Sequence, residues 1–148
     1  MRQLTLALAL VLAAACGKGG DSTGPKPNLA NGSMSAKFDG VQWNATASVR
    51  ATSTNGIIGV AGTDASFQTL AFALAARAPG SYNIGSASAA NAELTSGGNV
   101  WSAAGNIGGG VITITSLTTT GVAGTFSFTM MKGGVPRNVT DGKFDIKF

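Results

Sequence analysis

Histidine is absent from the chain. That removes the commonest general base and the commonest metal ligand near neutral pH. There is a single cysteine, Cys16, so no intramolecular disulfide can form. A small domain without staples has to hold together through its core. Charge is scarce too: charged residues make up 11% of the 148, against about 25% in an average soluble domain. The net charge is +4, but the basic residues stand singly, with no run or stripe. Displacing counterions from a nucleic acid takes a concentrated positive surface, so a nucleic-acid partner is not expected. Aromatic material is thin, with two tryptophans and one tyrosine. Glycine is what the chain has in quantity, at 22 residues, about double its usual share of ~7%. With abundant threonine and small residues, this mix suits many short strands joined by glycine turns and suits long helices poorly.

Met1 and Arg2 precede an uncharged run from Leu4 to Ala14 in which only Thr5 is polar. A helix across a bilayer needs about 20 apolar residues, so this run is too short to span. It has the length of the apolar region of a secretory signal peptide. It ends in Leu12-Ala13-Ala14-Ala15-Cys16. Small residues before a cysteine resemble the lipobox read by lipoprotein signal peptidase, with Ala13 where that motif usually has leucine. The resemblance implies that residues 1–15 are removed and that Cys16 is lipidated on sulfur and then on its amine. Each buried methylene contributes about 0.8 kcal/mol, so two or three acyl chains anchor a protein stably to a membrane. Gly17 follows the cysteine, where an aspartate commonly marks inner-membrane retention in Gram-negative lipoproteins. The resemblance therefore implies an outer-membrane address. Residues 16–32, with Gly17, Gly19, Gly20, Gly24, Pro25 and Pro27, read as a flexible tether. Its r.m.s. reach is about 20–25 Å.

From Ser33 to Phe148 the dominant signal is period two. Val41, Trp43, Ala45, Ala47, Val49 and Ala51 fall on one face of a strand, with Gln42, Asn44, Thr46, Ser48, Arg50 and Thr52 on the other. Phe144, Ile146 and Phe148 alternate in the same way with Lys143, Asp145 and Lys147. Between them come Ile58 and Val60, then Leu70, Phe72 and Leu74, then Ile112 and Ile114, then Phe126, Phe128 and Met130. Asp39-Gly40, Asn55-Gly56 and Asp141-Gly142 are tight-turn dipeptides, and Pro79-Gly80 and Gly133-Gly134 also break the chain. Ala89 to Thr95 has no clear assignment. With no crossover helix and short links, the expected fold is all-β: an antiparallel meander of about eight to ten strands forming a single β-sandwich or small β-barrel.

Five segments then appear in order: Phe38-Asp39-Gly40-Val41-Gln42-Trp43, Pro79-Gly80-Ser81-Tyr82, Ile112-Thr113-Ile114-Thr115-Ser116-Leu117, Val122-Ala123-Gly124-Thr125-Phe126-Ser127-Phe128, and Asp141-Gly142-Lys143-Phe144-Asp145. Together they resemble a family of uncharacterised bacterial lipoproteins that carry one β domain of unknown function. The shared features are turn glycines and core aromatics. They imply the fold and an envelope address, and they bring no activity with them.

No catalytic constellation stands out. A serine or threonine nucleophile needs an activating base, and Lys37, Lys143 and Lys147 fall on polar strand faces. Asp141 and Asp145 are spaced to share a strand face, as a glycosidase pair would. But Asp141 opens an Asp-Gly turn and Asp145 stands between lysines, so a turn-former and a surface charge are the expected roles. Five acids in the domain are too few to expect a calcium cage. The glycine run Gly105 to Gly110 lacks the Gly-Lys-Ser/Thr of a phosphate loop and reads as a hairpin link or bulge. The closing Phe144, Ile146 and Phe148 also suit the last strand of an outer-membrane barrel, but two tryptophans and a tyrosine cannot build two aromatic girdles. Trp43 is in phase with Val41 and Val49 and is expected in the core. Trp101 and Tyr82 are the candidate ligand-binding aromatics, able to stack on a sugar or line an apolar pocket. The expected function is a non-catalytic binding or structural module, lipid-anchored at Cys16 in the cell envelope, with no cofactor and no metal. Its partner would be a protein, a glycan or a small apolar ligand. The alternatives are a lipocalin-like carrier with an internal cavity, a glycan binder, and more distantly a hydrolase.

Overall fold

The computed structural model describes residues 29–148. The expected leader, Cys16 and the tether as far as Asn28 lie outside the described residues.

The domain is all-β and antiparallel. Its eleven strands are β1 Gly32–Phe38, β2 Val41–Asn44, β3 Ser48–Thr54, β4 Ile57–Thr63, β5 Thr69–Ala75, β6 Gly80–Ile84, β7 Asn91–Ser96, β8 Asn99–Ala104, β9 Gly109–Leu117, β10 Gly121–Lys132 and β11 Val135–Lys147. Of the unassigned stretch Ala89 to Thr95, the residues from Asn91 onward belong to strand β7. Nine strands run in the order β2-β1-β11-β10-β8-β7-β5-β4-β3, and β9 and β6 form a branch off β10. The path curls into a half-barrel, within the expected range of small barrel or sandwich. The long strand β10 makes the branch possible. It pairs with β9 from Val122 to Thr129 and with β8 at Met131.

Local chemistry sets the hairpins. Asp39-Gly40, Asn55-Gly56, Gly97-Gly98 and Gly133-Gly134 each hold two successive residues at positive φ, between 50° and 86°. That is the geometry whose twist matches paired strands, and short polar residues and glycine adopt it at least cost.

Two expectations are corrected. Val41 to Ala51 is not one strand. It breaks after Asn44, Val41 is 71% exposed, and Ala47 is exposed. The break is where the chain crosses from one end of the curled sheet to the other: the Ala45 N–H donates to the Met34 carbonyl at 3.0 Å, and the Ala47 N–H donates to the Thr63 carbonyl at 2.9 Å. Gly62 makes this approach possible, since a Cβ there would come within 2.8 Å of Met34 Sδ and 2.9 Å of Ala45 Cβ. Secondly, Asp141-Gly142 does not reverse the chain. It lies inside β11, where the register slips against both neighbours: Ser35 and Lys37 of β1 pair with Lys143 and Thr140, and Phe126 and Phe128 of β10 pair with Gly142 and Val139. Asp141 at φ 52° supplies a β-bulge instead of a turn.

The inner face is apolar and full. Phe72, Phe126, Phe128 and Phe144 pack with ring centroids 5.2 to 6.1 Å apart. Ile58, Leu70, Leu94, Ile112, Met130 and Val139 are buried around them. Each such side chain contributes about 1.5–3 kcal/mol. Trp43 is buried as expected and stacks on Phe38 at 5.0 Å. Among the described residues, no charged or polar residue is buried.

Candidate ligand-binding end

The strand register gathers four connections at one end of the half-barrel. Phe38 ends β1 at the Asp39-Gly40 turn. The ladders through Val139, Met131, Ser102, Thr95, Thr69 and Thr63 place the Gly133-Gly134 and Gly97-Gly98 turns and the 64–68 loop beside it. Between the first hairpin and the 64–68 loop runs an open groove of about 440 Å³. Its walls are Asp39, Val41, Gln42, Trp43 and Asn44 from the first hairpin, Thr46, Asp64, Ala65, Ser66 and Gln68 from the loops, and Phe38 and Arg137.

The 64–68 loop is knotted by one carboxylate. Asp64 Oδ1 accepts from the Ser66 N–H at 2.8 Å and from the Gln68 N–H at 2.9 Å. The Asp64 N–H donates to the Gln68 carbonyl and the Phe67 N–H to the Asp64 carbonyl. The Ala65 N–H donates to Thr46 Oγ1 at 3.0 Å, which ties the loop to the chain crossing. The Gln68 side-chain amide donates to Ser96 Oγ at 2.7 Å. These bonds hold Phe67 at φ 60° with its side chain 81% exposed. A bulky residue in the left-handed region costs about 1–2 kcal/mol, and this ring gains nothing from burial. Both burdens fall on a residue between two groove-lining neighbours, a pattern typical of functional loops.

On the other flank, Arg137 Nε donates to Asp39 Oδ2 at 3.0 Å, and Asp39 Oδ1 accepts the Asn138 N–H at 2.8 Å. The Arg137 guanidinium lies 4.7 Å from the centroid of the Trp101 ring, and Lys132 Nζ lies 5.6 Å from it. Lys132 also donates to Asn99 Oδ1. Trp101 pairs with Leu94, faces inward and is half-buried against the core. Its ring is therefore packed beneath two cations rather than standing free.

Tyr82 sits elsewhere. It lies on β6, at the end of the β9 branch, and packs against the core with its hydroxyl donating to the Ala78 carbonyl at 2.6 Å. It lines a separate surface groove of about 620 Å³ beside the 85–90 link. The structure thus does not bring Trp101 and Tyr82 into one site. Cys16 lies outside the described residues.

Asp141 and Asp145 do not form a pair. Asp141 Oδ2 meets Lys37 Nζ at 2.9 Å. The hydrogen bond from Lys37, and then its charge, hold the Asp141 carboxyl below the ordinary range and hold Lys37 above its own. Asp145 is exposed between Lys143 and Lys147. Among the described residues, no group of three metal-ligating side chains converges.

Phe67 is the residue that reading the sequence missed. Its signal was phase: the core set of β5 is Leu70, Phe72 and Leu74, and Phe67 stands an odd number of positions away, between the turn-formers Asp64, Ser66 and Gln68.

No curated protein matches the chain, and no solved structure does. A family model, the domain of unknown function DUF6252, matches residues 30–145. That span covers all but the outermost residues of the described β domain, and the chain belongs to the DUF6252 family.

Proposed function

We propose that this chain is a lipid-anchored protein of the bacterial cell envelope whose β domain acts as a non-catalytic binding module at the open groove end. One observation carries the binding part of this reading. Phe67 is held exposed, in a conformation that disfavours its side chain, by the hydrogen bonds that Ser66 and Gln68 give to Asp64 beside the groove. The place where the described domain begins supports the orientation. Leu29 and Gly32 lie at the opposite end of β1 from the Asp39-Gly40 turn, so a chain leading back to Cys16 leaves from the end away from the groove. The faces of the sheet support an anchor over a spanning barrel: apolar side chains point inward and threonine, lysine and aspartate point out along β10 and β11, the reverse of a barrel that meets lipid. The carrier alternative draws no support from the interior, which four phenylalanine rings occupy.

Two measurements test the reading. Labelled palmitate should enter the wild-type protein, which should sediment with membranes, and Cys16→Ser should move it to the soluble envelope fraction without label. Retention of C16S in the membrane overturns the anchor. Native mass spectrometry of the chain from its own host should show a bound species that Phe67→Ala removes. A bound species that survives F67A overturns the groove end as the binding surface.

A further inference from the structure

We infer that the ligand of the open groove is a glycan without negative charge, with a sugar face on Phe67 and its hydroxyls taken by Asn44, Gln42 and Asp64. The inference rests on the groove end being a binding surface, and it adds the class of ligand.

The side chains of the groove have hydrogen-bonding valences left over. Gln42 Nε2 is used on the Trp43 carbonyl at 3.0 Å and on Asn44 Oδ1 at 3.4 Å. Gln42 Oε1 and Asn44 Nδ2 then have no partner among the described residues. Asp64 Oδ1 is filled by two backbone N–H groups, which leaves Oδ2 free. Gln68 has spent one of its two amide N–H donors on Ser96 and keeps the other and its oxygen. The groove therefore offers acceptors and donors at fixed points, mostly on neutral amides, and a hydroxyl answers both kinds because it donates and accepts.

Charge narrows the class. Arg137, the cation lining the groove, is matched by Asp39 and lies over the Trp101 ring. An anionic ligand would meet the free oxygen of Asp64 with no unmatched cation to offset it. A purely apolar ligand would strip water from Gln42, Asn44 and Asp64 and return no hydrogen bonds. The groove also has apolar lining, from Phe38, Val41, Trp43 and Ala65, and the exposed Phe67 stands on the loop that supplies Asp64, Ala65, Ser66 and Gln68 to its wall. Polar and apolar lining side by side suits a ligand with one C–H face and a ring of hydroxyls.

The test uses the full-length chain in detergent with three probes: N-acetylated chitotriose, which is neutral, its deacetylated cationic form, and sialyllactose, which is anionic. Saturation-transfer NMR should light the neutral trisaccharide and its cationic form, each with an affinity above that for sialyllactose. Phe67→Ala and Asn44→Ala should each weaken binding about tenfold while leaving the melting temperature within a degree or two. Stronger binding of sialyllactose, or binding unmoved by both F67A and N44A, overturns the inference. A set of neutral oligosaccharides of other linkages, all without saturation transfer, overturns it as well. Phe67→p-benzoylphenylalanine, photolysed in intact cells, separates this failure from failure of the binding reading. An adduct to a protein overturns the glycan and keeps the binding surface. No adduct of any kind, together with no saturation transfer, overturns both.

Discussion

Two Asp-Gly pairs lie in this molecule, and they do opposite things. Asp39-Gly40 reverses the chain between β1 and β2, while Asp141-Gly142 keeps it running through the middle of β11. The aspartates have nearly the same backbone, φ 50° and φ 52°. The glycines differ. Gly40 is at φ 86°, and a Cβ on it would meet nothing within 4 Å. A Cβ on Gly142 would lie 2.3 Å from Phe126 Cδ2 and 2.5 Å from the Phe126 carbonyl oxygen. In the first pair glycine is needed for its conformation, and in the second for the space it leaves to a core ring. The dipeptide fixes a local twist; the flanking strands decide whether that twist becomes a turn or a bulge. Beyond Asp39 the partner strand is β2, only Val41–Asn44 long. Around Asp141 there are long partners on both sides, β1 and β10, and keeping both ladders is worth more than a reversal.

Alanine in place of each glycine separates the two roles. Gly142→Ala is expected to have the largest effect, about 3 kcal/mol, because Phe126 sits among three other rings and has nowhere to move. Thermal unfolding should fall by about 10 °C. Gly40→Ala should cost about 1 kcal/mol through backbone strain alone. Equal losses in a urea titration would mean that Gly142 does not serve the core.

What was legible in the sequence follows the same division. Period-two alternation revealed β3, β5, β10 and the end of β11 because each has one face on the core and one in water. Asp39-Gly40 and Asn55-Gly56 were readable as turns because positive φ at two successive positions has few solutions. The Asp141-Gly142 bulge was not readable, since its local chemistry equals that of a turn. Neither was the break at Ala45: Ala45 keeps the buried phase, and what interrupts the strand is a contact with Met34 and Gly62, distant in sequence on one side. The candidate aromatics show the limit for the site. Trp101 and Tyr82 are candidates because an aromatic ring can stack on a sugar or line a pocket, yet both pack on the core. Phe67 could be found only as an aromatic out of phase with its strand.

Phe67 extends the comparison to a third kind of left-handed residue. Asp39, Asn55 and Asp141 have short polar side chains that tolerate this region, whereas Phe67 does not. Phe67→Gly should therefore make the domain more stable, by about 0.5 kcal/mol, the relief of left-handed strain less the entropy that glycine adds to the unfolded chain. The same substitution should abolish whatever the groove end binds. A midpoint in urea that falls in F67G would mean that the ring stabilises the loop, and the case for its exposure as a functional feature would be lost.

The smallest effect belongs to the bulge itself. Lys37 on β1 reaches Asp141 at 2.9 Å, a pair that the Asp39 turn, which binds Arg137 instead, does not share. The hydrogen bond from Lys37 and then its charge lower the Asp141 pKa from the ordinary 3.8. The carboxylate is favoured in the folded state, so its contribution is present above that ordinary value and is lost as pH falls through the lowered folded pKa. Lys37 is shifted upward from 10.5 by the same contacts, so its contribution holds below that value and is lost as pH rises through the raised one. Both groups are exposed, so water and salt screen the interaction. Carbon-detected NMR of the Asp141 carboxyl should find its midpoint lower in the wild type than in Lys37→Met at low ionic strength. The gap should close near 1 M salt, where the Debye length is about 3 Å. If the two midpoints coincide in dilute buffer, the bulge is held by its backbone and by the space under Gly142, with no help from the ion pair.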